Sequence, residues 1–142
     1  MKRDWDLLRE QMLAIEEELD FKTTVLAGAP EAPIWRNDQS EADFIKVKNE
    51  YEQQEARIFG HLEMLIDNGY IEGVTVHRNY NSFSYGLHQP RLTMAGHDLL
   101  DTMRSKPIWE KVKAIAKTKG LELTMDTIKG LAGLALKSVL GS

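Results

Sequence analysis

The chain has 142 residues, 42% of them hydrophobic and 28% charged, a balance that builds a packed core and excludes a disordered chain. It contains no cysteine, which excludes disulfide frameworks and thiolate metal sites. The net charge of −4 conceals an asymmetry: residues 1–72 hold 8 basic and 17 acidic side chains, and residues 73–142 hold 10 and 5. An anionic partner would therefore meet the second half, unless both faces are simply solvated.

The opening MKRDWDLLREQM is broken by charges and lacks the run of roughly 7–15 apolar residues of a secretory leader. No segment approaches the roughly 20 apolar residues of a spanning helix. A cytoplasmic protein with no membrane partner is expected. Asp4 suits an N-cap, and Trp5, Leu8, Met12, Ile15 and Leu19 share one stripe, which predicts a helix over about 4–19. Its outer face would carry Asp6, Arg9, Glu10, Glu16 and Glu17. Phe21 to Val25 fits a short strand, and the prolines of AGAPEAP make 27–42 a loop. Asp43 to Lys48 alternates like a strand, while a helix starting at Ser40, with Asp43 in the capping-box position, fits the same residues.

From about Glu52 to Asn68 the pattern is helical, with Ile58, Leu62 and Leu65 on one stripe and Asn68-Gly69 as a stop. Tyr70 to Val76 and Tyr85 to Leu92 then read as a hairpin around Asn79–Ser82, with Pro90 marking an edge. Thr93 would cap a helix carrying Leu99, Leu100 and Met103. Pro107 opens another, with Trp109, Val112, Ile115 and Ala116 inward and Gly120 at its end. Thr124 would cap the last, lined by Ile128, Leu131, Ala135 and Val139. The expected fold is α+β, a winged helix-turn-helix-like domain over 1–105 with a loop at about 21–45. Residues 106–142 would form additional C-terminal helices, either part of the same globule or a dimerisation arm.

The segments MKRDWDLL, HLEMLIDNGYIEG, RLTMAGHDLLDTMR and IWEKVKAIAKTKG resemble a phage and bacterial family of domains of unknown function. The closing ELTMDTIKGLAGLALKSVLG is similar to that family's C-terminal segment, and about 21–45 looks like added material. The resemblance implies no assigned activity. More loosely, HLEMLIDNGYIEG followed by a hairpin and LTMAGHDLL resembles winged-helix transcriptional regulators, an analogy of fold alone.

In such a fold the helix before the hairpin lies in the major groove and the hairpin is the wing. Here the helix over about 50–68 carries Glu50, Glu52, Glu55, Glu63 and Asp67 against one Arg57, which opposes binding to phosphates. Gln53, Gln54, Arg57 and His61 are still base-reading types, although a solvated acidic face explains the helix more simply. The wing is more favourable. From Gly73 to His97 there is no carboxylate, and His77, Arg78, His88 and Arg91 interleave with Tyr80, Phe83 and Tyr85. More commonly, such aromatics pack a hairpin onto the body. Lys106, Lys111, Lys113, Lys117 and Lys119 would extend a positive surface or merely solubilise a helix.

The leading expectation is a non-enzymatic, DNA-associated regulatory protein that meets double-stranded DNA through the wing and C-terminal lysines. The rival is a protein-interaction module, an inhibitor of a host factor or defence system, whose Glu50, Glu52, Glu55 and Glu63 engage a basic host protein. No two of the histidines His61, His77, His88 and His97 have helical metal-ligand spacing, and no phosphate-cradling loop or nucleophile elbow is present, so no metal, cofactor or catalytic residue is expected. Gly130, Ala132, Gly133 and Ala135 in the last helix would suit a homodimer or packing against the domain itself.

Overall fold

The structure is a computed structural model that describes residues 2–21, 32–80 and 82–141. Among these residues the chain is mixed α+β, with five α-helices and one two-stranded antiparallel sheet. It forms two compact units, 1–93 and 94–142. The division falls ahead of the helix that starts at Met94, whereas a boundary at 105/106 would leave that helix with the first unit.

The first unit begins with α1 (Trp5–Glu16). Asp4 caps it, its carboxylate accepting from the Leu7 N–H at 3.2 Å. The helix stops short of the predicted Leu19 because Glu18 turns left-handed at φ +54°. Leu19 N–H then donates to the Ala14 carbonyl and Glu18 N–H to that of Ile15, a Schellman ending built without glycine. Leu19 is thereby turned outward, and Arg9, predicted on the outer face, is buried.

α2 (Glu41–Asp67) is one helix of 27 residues, roughly 40 Å at 1.5 Å per residue. Ser40 is its N-cap and accepts from the Asp43 N–H at 3.1 Å. This excludes the strand over 43–48 and moves the helix start back from about 50. No Gly or Pro separates the cap from the apolar stripe, so helix nucleated at Ser40 runs straight into it. The strand expected over 21–25 falls largely on residues outside those described, and Phe21 itself lies in no strand. The last turn of α2 closes at Asn68-Gly69, with Gly69 at φ +72° and Tyr70 N–H donating to the Leu65 carbonyl.

β1 (Ile71–Arg78) and β2 (Phe83–Leu92) pair antiparallel, from Ile71↔Leu92 to Arg78↔Phe83. The register breaks between Glu72↔Arg91 and Val74↔Leu87, where Gly73 alone stands against three residues, His88, Gln89 and Pro90. Pro90, which has no N–H to contribute, sits in this bulge, and Gln89 adopts φ +54°. Gly73 has φ +80°, and a β-carbon there would lie 2.5 Å from the His88 carbonyl oxygen and 2.6 Å from that of Gln89. The core of this unit joins Trp5, Leu8, Met12 and Ile15 of α1 to Ile58, Phe59, Leu62 and Leu65 of α2 and to Ile71, Val74 and Leu92 of the hairpin, all buried.

The second unit contains α3 (Met94–Met103), α4 (Lys106–Lys119) and α5 (Met125–Val139). Pro107 occupies the first turn of α4 and Gly120 closes it at φ +67°. Thr124 caps α5, accepting from the Thr127 N–H at 3.2 Å. Leu99, Leu100, Met103, Trp109, Val112, Ala116, Ile128, Leu131 and Ala135 are buried, while Val139, predicted inward, is exposed at the end of α5.

Gly73 and Gly69 differ in one respect that a substitution will read. At both, an added methyl meets the left-handed strain, about 1–2 kcal/mol, but only at Gly73 does it also meet backbone. Gly69→Ala is expected to cost about 1 kcal/mol and Gly73→Ala more than about 3 kcal/mol in urea denaturation.

Candidate nucleic-acid interface

The hairpin packs its inner face on α1 and α2 and is held chiefly by side chains of α2. The rings of Phe59 and Phe83 stack at 5.2 Å with an interplanar angle of 6°, and Tyr85 lies between Phe59 at 5.9 Å and Phe21 at 5.3 Å. Thus the aromatics Phe83 and Tyr85 pack toward the body. Beyond them the Asn79 N–H donates to the Ser82 carbonyl at 2.8 Å, closing the turn, and Tyr80 at its tip is 99% exposed.

Glu55, expected on a solvated acidic face, is buried, and its carboxylate accepts from the Phe83 N–H at 2.8 Å where β2 begins. A main-chain donor at the start of a strand thus finds its partner on the helix. The same carboxylate accepts from the Tyr51 hydroxyl, which, with partial burial and the negative charge nearby, pushes the Tyr51 pKa up to about 12. Glu63 likewise turns to the hairpin: its two oxygens take Arg78 Nη2 at 2.7 Å and Nε at 3.1 Å. This hydrogen bonding, followed by the charge of Glu63, raises the Arg78 pKa further. The Arg78 guanidinium also lies 5.1 Å over the Phe83 ring.

Several base-reading candidates are used inside the protein. His61 is fully buried; its Nε2 accepts from the Asp4 N–H at 2.8 Å and its Nδ1 lies 2.6 Å from the Arg57 carbonyl oxygen. One donor and one acceptor assign the ring proton to Nδ1, and no nitrogen is left for a base or a metal. His61 thus faces the start of α1 rather than the outside of α2. Arg57 pairs with Asp4 at 2.5 Å, tying α2 to the α1 cap. Burial pushes the Asp4 carboxyl up, but the hydrogen bonds from Arg57 and the Leu7 N–H, with the guanidinium charge, outweigh it and hold it below its ordinary range.

Gln53 and Gln54 are exposed on α2, beside the exposed Glu50 and the half-buried Glu52. On the hairpin His77, Arg78, Tyr80, His88 and Arg91 are exposed, with Arg91 paired to Glu72 at 2.7 Å. On α4, Lys111 and Lys117 are exposed, and Lys113 lies 3.1 Å from Glu110 and 5.6 Å over the Trp109 ring. Among the described residues no three His, Asp or Glu side chains gather as a metal site would require, and no helix is long and apolar enough to cross a membrane.

A cleft of about 510 Å³ between the end of α1 and β2 had no sequence counterpart. Ile15, Leu19, Phe21, Leu87 and Pro90 line it with Glu18, Gln89 and Arg91. Two left-handed non-glycine residues, Glu18 and Gln89, belong to its wall. Pro90, read from the sequence only as marking an edge, lies in the bulge beside it.

A family model described as "Hypothetical protein (DUF2513)" matches residues 2–122. The chain belongs to that family. The match takes in α1 to α4 and the residues between α1 and α2, and it ends just before α5. The chain is also similar to a protein of Haemophilus influenzae (strain ATCC 51907 / DSM 11121 / KW20 / Rd) titled "Uncharacterized protein", at 28% identity over 141 residues and 99% of each chain, a span that includes α5. No solved structure matches the chain.

The Tyr51–Glu55 contact has a measurable consequence. Because the folded pKa of Tyr51 lies above its ordinary value of 10.0, the contact's stabilisation is complete below pH 10 and is lost as pH rises through about 12. Ultraviolet titration, with Tyr51→Phe identifying the signal, is expected to show one tyrosine near 12 that moves back toward 10 in Glu55→Gln.

Proposed function

We propose that this protein is a small winged-helix-like, non-enzymatic binding protein that engages double-stranded DNA, in a phage-type regulatory or DNA-associated role. The observation that carries the reading is the hairpin surface. Its strands and turn carry only one carboxylate, Glu72 at the base, where the exposed Arg91 stands opposite it, and the exposed His77, Arg78 and Tyr80 follow one another to the tip. Cations with amphipathic rings are the groups that meet phosphate and sugar.

The reading assigns the wing, rather than the helix before it, to DNA. α2 turns Arg57, His61, Glu55 and Glu63 into internal contacts, so its outer face offers Gln53 and Gln54 beside Glu50 and Glu52. Arg78 and Arg91 are paired, but exposed ion pairs contribute about 0–1 kcal/mol, so exchanging a carboxylate for a phosphate costs little. The exposed Lys111 and Lys117 of α4 add positive charge in the second unit.

A second reading is favoured by the first turns of α2. Ile45 and Val47 are exposed there, as are Ile34 and Trp35 before the helix, in a segment flanked by Glu41, Asp43 and Glu50. Exposed apolar groups interleaved with Lys46 and Lys48 and flanked by these acids suit a protein partner. With Glu55 and Glu63 engaged internally, only Glu50 and Glu52 are left of the four acids for that role.

Fluorescence anisotropy with a labelled duplex, over a salt series, separates the two. Under the DNA reading the wild type binds at low salt, and Arg78→Ala/Arg91→Ala weakens binding at least about tenfold and lowers the salt slope by about 2. Glu50→Lys/Glu52→Lys strengthens it. No binding by the wild type, or an unchanged slope in the double arginine variant, rejects the hairpin as a DNA contact.

A further inference from the structure

The outer face of α5 carries large apolar side chains that its own unit does not cover. Ile128, Leu131 and Ala135 bury the inner face, while Leu134, Leu136 and Leu140 are 48%, 44% and 71% exposed. Between those leucines run Asp126, Gly130, Gly133 and Lys137, spaced i, i+4, i+7 and i+11, so at 3.6 residues per turn they form one narrow stripe opposite the buried face. A β-carbon at Gly130 or Gly133 would meet nothing within 4 Å. Packing inside the chain therefore does not call for glycine there, although each costs about 1 kcal/mol relative to alanine in a helix.

The order of charges along this face selects its occupant. Laid antiparallel on a second copy, Asp126 falls opposite Lys137, Gly130 opposite Gly133, and each relation repeats in reverse. This is the condition for an isologous twofold contact. The stem of Lys129 falls opposite Leu134 of the other copy and covers it. Parallel pairing would set Asp126 against Asp126 and Lys137 against Lys137, which disfavours it. We infer that α5 docks on α5 of a second copy of this chain, antiparallel, about a twofold axis level with Leu131 and Ala132. The glycines let the two backbones approach, and the flanking leucines close over the contact. This contact does not depend on what the hairpin binds.

Sedimentation equilibrium of the full chain tests it, with circular dichroism to check folding. The wild type is expected to be a dimer. Asp126→Lys and Lys137→Glu, each placing like charges together at two symmetric positions, are expected to weaken association about tenfold. Combining them restores opposite charges and wild-type association, which a merely misfolded variant would not do. A wild type that stays monomeric at every concentration overturns the inference, whether or not it binds lipid vesicles instead. A dimer indifferent to both reversals, or a double variant that is not rescued, overturns this interface.

Discussion

The first unit depends on how the C-terminal half of α2 is gripped from two sides. Ile58, Phe59, Leu62 and Leu65 supply the apolar surface, and the polar groups beside them decide where the neighbours sit. His61 and Arg57 fix the start of α1, Gln11 of α1 donates to the Ile58 carbonyl at 3.1 Å, and Glu55 fixes the start of β2. Apolar burial supplies the driving force without direction; these hydrogen bonds supply registry, because even a partly buried main-chain donor such as Phe83 N–H is costly to leave unpaired. The Glu55 carboxylate is held by two donors, Phe83 N–H and the Tyr51 hydroxyl, so one acid secures both a strand and the preceding turn of its own helix.

This arrangement explains why an acidic helix stands beside a hairpin whose one acid is Glu72. Glu55 and Glu63 are spaced along the face of α2 that meets β1 and β2, and each takes a group from the hairpin. Their charges are spent on internal partners. The negative charge of α2 is therefore compatible with the proposed DNA-facing wing, whose outer surface stays free of carboxylates beyond Glu72.

What local chemistry encodes was legible in the residues. The Asp4 cap, the Asn68-Gly69 stop, Pro107 in a first turn, Gly120 at a helix end and the Thr124 cap all act within a few residues, and the structure uses each of them so. The stretch DFIKVK was ambiguous because alternating β-branched residues satisfy both periods; its helical state follows from the Ser40 cap and from the absence of a breaker before Ile58. Partner choice was not legible. Nothing in the spacing of Arg57, His61, Glu55 or Arg78 tells that residues 53, 57, 28 and 15 positions away will satisfy them. The bulge at His88–Pro90, and the cleft beside it, likewise arise from a register that only the paired strands define.

The central claim is that α2 is the support and the hairpin the contacting face. Amide chemical-shift mapping of the isotope-labelled protein, titrated with duplex DNA at low salt, reports this residue by residue. The account predicts shifts concentrated from His77 to Ser84 and at Arg91, with the amides from Ile58 to Leu65 unmoved. Shifts confined to Glu41–Glu52, with a silent hairpin, would contradict it.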